Sequence, residues 1–289
     1  MAVRPAVVVV GDAALDVVAR HSGPIAHGDD TRARISLTMG GAGANTAAWL
    51  AHLGCDTTLV SNIGDDPAGA QVRATLTAAG VRCEFTVDPE AATGCVVVLV
   101  DDTGQRSMLP DRGANARLRT ADLDLTGKRH LHLSGYVLLD ASSRQAGLDA
   151  LAAARAAGLT TSVDPQAAAL IDDPSAFLDW VRGVDLLLPN RDELRKLTGA
   201  GDARDLLRAV GAVAVTDGPL GASWVSPDGV ESVTAPPAPC VDSTGAGDAF
   251  DAGLITAWVS GASPRNALLA GVAAGSDAIG RVGAQPSIT

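Results

Sequence analysis

A chain of 289 residues can bury a full core, either as one large α/β domain or as two smaller ones. Its hydrophobic share of 47% with only 3% aromatic, rich in Ala, Val, Leu and Gly, argues against disorder and for parallel strands under Ala-rich helices. A formal net charge of −11 argues against a nucleic-acid or anionic-membrane surface, which needs clustered Lys and Arg, so an anionic substrate requires a local basic pocket.

Residues 7–10 are a continuous β-branched run closed by Gly11-Asp12, the form of a central strand buried on both faces. The run is too short for a signal peptide, and no stretch reaches the roughly 18 apolar residues of a membrane span. Residues 16–38 turn polar and irregular, with short strands expected at 17–20 and 32–38, an excursion from the sheet. Gly40-Gly41-Ala42-Gly43-Ala44-Asn45-Thr46-Ala47 then leads into Trp49, Leu50 and Leu53 at helical spacing. Gly lacks a Cβ, so a small polar ligand can lie against this backbone with Asn45 as donor and acceptor. Tight helix–strand packing through Gly and Ala is the competing reading.

A strand at 57–61, a helix at 67–79 and a strand at 82–87 follow. Residues 95–100 and 105–109 flank Asp101-Asp102-Thr103-Gly104 as a hairpin. A hairpin inside a βαβ series belongs to a separate small layer, and with the earlier excursion it can form a lid that excludes water. Strands at 130–134, 160–163, 186–188 and 212–215 alternate with helical segments at 142–157, 174–181 and 192–210. That rhythm predicts a parallel sheet with right-handed crossovers. A hairpin over 222–233 and a helix over 264–279 complete the order. Cys55, Cys83, Cys95 and Cys240 are scattered without a metal-like spacing, which implies reduced thiols in a cytoplasmic protein.

Polar residues collect just after several strands: Asp12 and Asp16, Asp164, Asn190 and Glu193, Thr216 and Asp217, and residues 242–248. Open α/β sheets bind ligands at those carboxyl ends. In Asp242-Ser243-Thr244-Gly245-Ala246-Gly247-Asp248, small residues precede an apolar-periodic run of Phe250, Leu254, Ile255 and Trp258. Bare amides at a helix N-terminus form an anion site that suits a phosphate. A carboxylate at Asp248 repels that anion unless it accepts the proton of an attacking hydroxyl. The alternative is that Thr244 caps the helix and Asp248 complements its dipole.

No G-x-x-x-x-G-K-[ST] occurs, and Thr46 and Phe250 stand where a dinucleotide fingerprint places its third Gly. His130 and His132 share a strand face without a third ligand and read as structural. Asn190 and Glu193 read as a capping-box variant or as holders of hydrated Mg²⁺, and spacing favours the cap.

Residues 242–255, DSTGAGDAFDAGLI, resemble the C-terminal signature of the ribokinase-like (PfkB) sugar kinases at every constrained position. Residues 40–64, GGAGANTAAWLAHLGCDTTLVSNIG, resemble the N-terminal signature. Pro189-Asn190-x-x-Glu193 and Val215-Thr216-Asp217-Gly218-x-x-Gly221 stand in order between them, so the resemblance covers nearly the whole chain. It implies a three-layer α/β/α sandwich with a mostly parallel central sheet and a small β lid. It also implies one kinase domain over residues 1–289, with lid segments near 15–38 and 93–112.

The implied reaction transfers the γ-phosphate of ATP to a primary hydroxyl of a small carbohydrate. The resemblance makes Asp248 the base and the amides of Gly245, Ala246 and Gly247 the anion hole. Asn190 and Glu193 resemble the Mg²⁺–phosphate residues, Glu193 through water, and Thr216, Gly218 and Gly221 the nucleotide-binding turn. Asp16, Gly41 and Asn45 match the sugar-hydroxyl binders. Asp242, Thr244, Ala278, Arg281, Gly283 and Ser287 resemble a K⁺ loop. Pairing of lids implies a homodimer.

Ala14 stands where ribose-specific members carry a sugar-binding Asn, which speaks against ribose itself. Arg106 and Arg112 resemble arginines used by members acting on acidic sugars, while Tyr136, the only Tyr, is expected elsewhere. Arg112 is read as a substrate contact or as a solvated lid charge. A keto-deoxy acid, a nucleoside or pseudouridine, and catalytically silent sugar binding are the alternatives. Few aromatics are present to stack a base.

Overall fold

The computed structural model describes residues 4–121 and 123–287. Its first strand, β1 (Ala6–Val10), turns Val7 and Val9 into one hydrophobic core and Val8 and Val10 into another, all fully buried. Side chains alternate along a strand, so one that is apolar at every position must be covered on both faces.

The elements continue as β2 (Ala14–His21), β3 (Ala33–Gly40), α1 (Ala42–His52), β4 (Asp56–Gly64), α2 (Pro67–Ala78) and β5 (Arg82–Asp88). Then come β6 (Gly94–Val100), β7 (Arg106–Asp111), β8 (His130–Ser134), α3 (Tyr136–Leu139), α4 (Arg144–Ala156), β9 (Thr160–Asp164) and α5 (Pro174–Trp180). The remainder is β10 (Leu186–Leu187), α6 (Arg191–Thr198), β11 (Ala212–Thr216), β12 (Ala222–Ser226), β13 (Gly229–Val233), α7 (Ala246–Val259) and α8 (Pro264–Ala278).

Nine strands form the large sheet in the order β13-β12-β11-β10-β9-β8-β1-β4-β5, parallel except at the β11–β12 and β12–β13 pairs on one edge. Helices α1, α2, α7 and α8 pack on the face of Val7 and Val9, and α3 to α6 on the face of Val8 and Val10. The result is the expected three-layer α/β/α sandwich. Its β8 histidines are structural: His130 hydrogen-bonds the Thr160 and Ser162 hydroxyls at 2.9 and 2.8 Å, and His132 meets Ser162 at 2.9 Å. Burial pushes both imidazoles down to about 3, so they pack neutral.

The stretch over 16–38 is more regular than its polarity suggests, since β2 and β3 are each eight residues long. With β6 and β7 they make a second sheet of four strands, ordered β3-β2-β6-β7. It is antiparallel except at the β2–β6 pair. Leu37, Val17, Val97 and Leu109 fall in one cross-strand row, and Leu37 and Leu109 are 55% and 56% exposed. The expected helical segment at 192–210 is interrupted: α6 ends at Gly199, the Thr198 hydroxyl accepts the Gly201 N–H at 2.7 Å, and a 3₁₀ turn runs over Ala203–Arg208. Among the described residues no helix is long and apolar enough to cross a membrane, and the cysteines are free.

Candidate active site

The site is built around the start of α7. Gly245 precedes the helix with φ of 74°, and a Cβ there would lie 2.6 Å from the Ala284 carbonyl oxygen, so no other residue starts this helix without strain. The cap considered for Thr244 does not form, because its hydroxyl donates to Asp242 Oδ1 at 2.6 Å and leaves α7 without a side-chain cap. The backbone amides of Gly245, Ala246 and Gly247 therefore lie at an N-terminus without a side-chain cap, where the Ala246 N–H meets the Ser243 carbonyl at 3.3 Å.

Asp248 sits in the first turn, buried, and accepts the Asn45 amide N–H at 2.9 Å. Asn45 lies on α1 and its own Oδ1 accepts from Gln285 Nε2 at 3.3 Å, so two glycine-rich helix starts meet through one hydrogen bond. Burial pushes the Asp248 carboxyl up to about 6, against the hydrogen bonds from Asn45 and Gln166 that lower it.

Two cavities adjoin this carboxylate, and a third reaches the start of its helix. The first, of about 300 Å³, lies between the two sheets, with Asp12, Asp16, Gly41, Asn45, Arg112 and Asp248 on its walls. Asp16 Oδ1 is buried without a hydrogen-bond partner, and burial pushes its carboxyl up to about 6. A Cβ at residue 40 would stand 2.0 Å from that oxygen, so Gly40 makes room for it. Arg112 is not a solvated charge. Its Nε and Nη2 donate to Asp12 at 2.8 and 2.6 Å, and its Nη1 meets Asp140 and the Ser143 hydroxyl, both at 2.9 Å.

Tyr136 corrects the expectation that it lies elsewhere, for it lines the same cavity as Arg112. Burial pushes its hydroxyl up to about 12, with the Asp248 charge adding to the shift. Gln166, unmarked in the sequence, has φ of 74° and bridges to Asp164 Oδ2 at 2.7 Å. A non-glycine residue held in that region is an outlier of the kind found at functional sites. Both residues follow strand ends by two positions, the same signal that marked the other polar clusters.

The second cavity, about 190 Å³, shares Gly245, Gln166 and Asp248 with the first and adds Asp164, Asn190, Glu193, Thr216 and Asp251. Here the capping box is complete: Asn190 Oδ1 accepts the Asp192 and Glu193 amides, and both Glu193 oxygens accept from Asn190, at 2.8 and 2.7 Å. Burial pushes the Glu193 carboxyl up to about 7. Asp164 and Asp251 are pushed up as well, by burial first and then by neighbouring carboxylates, and Asp251 Oδ2 has no hydrogen-bond partner. Among the described residues no three carboxylate, His or Cys groups are placed to ligate a metal directly. The third cavity, about 620 Å³, shares Thr216 and Gly247 with the second and is lined by Gly218, Gly221, Phe250, Val272 and Ile279.

The residues expected for the K⁺ loop are partly brought together. Gly283 N–H donates to Asp242 Oδ2 at 3.2 Å, which joins two parts of the loop, and Ala278 closes α8. Arg281 turns to Asp277 and stacks over the Trp49 ring, and Ser287 is exposed. The Asp242 and Thr244 side chains, however, face the guanidinium of Arg106, whose Nη1 reaches Asp242 Oδ1 at 2.9 Å and also bonds the Thr244 hydroxyl.

The family model for pfkB family carbohydrate kinases matches residues 4–289. The chain belongs to that family. Among curated relatives it is 32% identical to an ATP-dependent ribose-1-phosphate kinase of Halopiger xanaduensis, over 86% of this chain and 83% of that one. It is 31% identical to a fructokinase of Escherichia coli, over 86% and 82%. Among solved structures the fold of this family member superposes on adenosine kinase from Sinorhizobium meliloti with TM-score 0.88 at 25% identity, covering 98% and 96% of the two chains. Ribokinase from Thermotoga maritima gives 0.83 at 25% identity, covering 97% and 95%. Kinase chemistry and the ribokinase-like sandwich thus follow from family membership.

Proposed function

We propose that this family member transfers the γ-phosphate of ATP to a primary hydroxyl of a small neutral carbohydrate, with Asp248 as general base. The observation that carries the reading is the juxtaposition of Asp248 with the amides of Gly245, Ala246 and Gly247, at a helix start without a side-chain cap, between a sugar-sized and a nucleotide-sized cavity. The acceptor lies in the first cavity, where Asp16, Gly41 and Asn45 receive its hydroxyls and hold one in line. Asp248 takes that hydroxyl's proton as the oxygen attacks phosphorus, and the amides meet the charge that develops on the transferred group.

The purine moiety fits the apolar third cavity, with Thr216, Gly218 and Gly221 along its rim. Mg²⁺ fits the second cavity as a hydrated ion, because both Glu193 oxygens are already engaged and waters must bridge them to it. Glu193, Asp164 and Asp251 would hold it through waters, and its chemistry there is neutralisation of phosphate charge. A monovalent cation is left out of the reaction, since Arg106 takes the side-chain oxygens it would bind.

Neutral substrates are favoured because the Arg112 charge is matched by Asp12 and Asp140 and the cavity keeps Asp16 and Asp248 besides. Tyr136 beside Arg112 supports a second reading, a keto-deoxy acid, if substrate displaces one of those carboxylates. A nucleoside is the third candidate, in view of the adenosine kinase likeness. We read residues 1–289 as one kinase domain whose lid is the small sheet, acting in the cytoplasm, and paired into a homodimer through the apolar row on that sheet.

The test is ADP release over a panel of pentoses, hexoses, keto-deoxy acids and nucleosides, for wild type and Asp248→Asn. Turnover with a neutral sugar, lost by about three orders of magnitude or more in Asp248→Asn with KM values held, is the expected result. Near wild-type kcat in the variant removes Asp248 from the mechanism, and binding without turnover in wild type would mark a silent sugar binder.

A further inference from the structure

The loop before α7 meets a cation that the chain itself provides. Arg106 extends from β7 of the small sheet, far in sequence from the loop, and its Nη2 donates to the Ser243 hydroxyl at 2.5 Å while Nη1 bonds Asp242 and Thr244. The pair is sheltered, with side-chain exposures of 27% for Arg106 and 13% for Asp242. The other Asp242 contacts complete its coordination: Oδ1 accepts the Thr244 N–H at 3.0 Å and Oδ2 the Gly283 N–H at 3.2 Å. A guanidinium stays protonated at any working pH, and its planar fork suits a carboxylate flanked by hydroxyls.

A bare monovalent ion is held by oxygens that replace its hydration shell. Asp242 and Thr244 are among the residues expected to hold it, and Asp242 Oδ1 and the Thr244 hydroxyl already face a positive charge that opposes a second cation on the same oxygens. The charge is also where it matters. Without it, the Asp242 carboxylate stands beside the amides at the start of α7 and opposes any phosphate there.

We propose that Arg106 is a built-in replacement for the monovalent cation. It fixes the loop from Asp242 to Gly245, makes the protein indifferent to K⁺, and ties that charge to the position of the small sheet. Arg106 is in this role a positioning residue, acting through Asp242 and Thr244 rather than on substrate. The inference rests on the kinase reading of the α7 N-terminus, but one of its readouts does not.

Turnover and thermal unfolding are measured for wild type, Arg106→Gln and Arg106→Lys, with tetramethylammonium as the only monovalent cation and then with K⁺ added. Wild type is expected to change by less than about twofold in kcat/KM and to keep its unfolding midpoint, because nothing binds. Arg106→Gln is expected to lose about tenfold or more without K⁺, to recover most of it with K⁺, and to gain a K⁺-dependent rise in midpoint. Arg106→Lys keeps the charge and stays insensitive to K⁺ in both readouts. Strong K⁺ activation or stabilisation of wild type overturns the proposal. So does an Arg106→Gln variant whose activity and midpoint ignore K⁺, which would make Arg106 a phosphate contact or a mere latch. If none of the three turns over, the kinase reading fails, and the midpoints still decide the cation question.

Discussion

At the scale of the residue, Asp248 carries two opposed demands. As the proposed base it must be ionised to accept a proton, yet its burial favours the neutral form and lifts the carboxyl up to about 6. A base acts only when deprotonated, so kcat/KM is expected to fall below about pH 6, more steeply if Asp16, also pushed up to about 6, titrates with it. A profile that stays level to about pH 5 would give the proton to another group. The same shift has a consequence for stability, with its sign set by proton binding. The folded state holds this proton more tightly than the unfolded chain, whose carboxyl has its ordinary value of 3.8. The resulting stabilisation is complete below 3.8 and is lost as pH rises through about 6. Asp248→Asn is therefore expected to melt no lower than wild type at neutral pH while being inactive, a pairing that calorimetry and the ADP assay check together. A large drop in melting temperature would mean that the carboxylate is structural.

At the scale of the element, the capping box of α6 links folding to the second cavity. Asn190→Ala removes the oxygen that accepts the Asp192 and Glu193 amides, at a cost of about 1 kcal/mol, and releases Glu193 Oε1 from the Asn190 side-chain amide, while Oε2 keeps the backbone N–H of residue 190. Denaturant unfolding should show that loss, and KM for ATP should rise while KM for the sugar holds. An unchanged ATP KM would leave Asn190 a cap and nothing more. Element by element, legibility followed how local the cause was. The run 7–10, the hairpins and both glycine-rich helix starts were readable because pattern and turn residues lie within a few positions. The strand β2 was underestimated because one face of its sheet lines a polar site and the other leaves apolar residues in water, so alternation carries no clean burial signal. The break after α6 was missed because a side-chain bond within one turn, Thr198 to Gly201, ends it.

At the scale of the whole molecule, the apolar row Leu37, Val17, Val97 and Leu109 crosses the outer face of the small sheet, an arrangement that favours burial against a second copy. If lids pair there, Leu37→Asp or Leu109→Asp should convert a dimer to a monomer in light scattering coupled to chromatography. A wild type that is monomeric at every concentration would sink the lid-paired dimer.

What the sequence determined unaided was the alternation of strands and helices, the family, and the chemical groups of the site. Glycine-rich helix starts and carboxylates at strand ends are short-range patterns that one chain spells out. What only the tertiary structure decided was which groups face each other: Asn45 on Asp248, Arg112 between Asp12 and Asp140, Tyr136 in the same cavity, and Arg106 on Asp242. Charge pairing and desolvation depend on distance through space, and partners a hundred or more positions apart leave no local trace of their meeting.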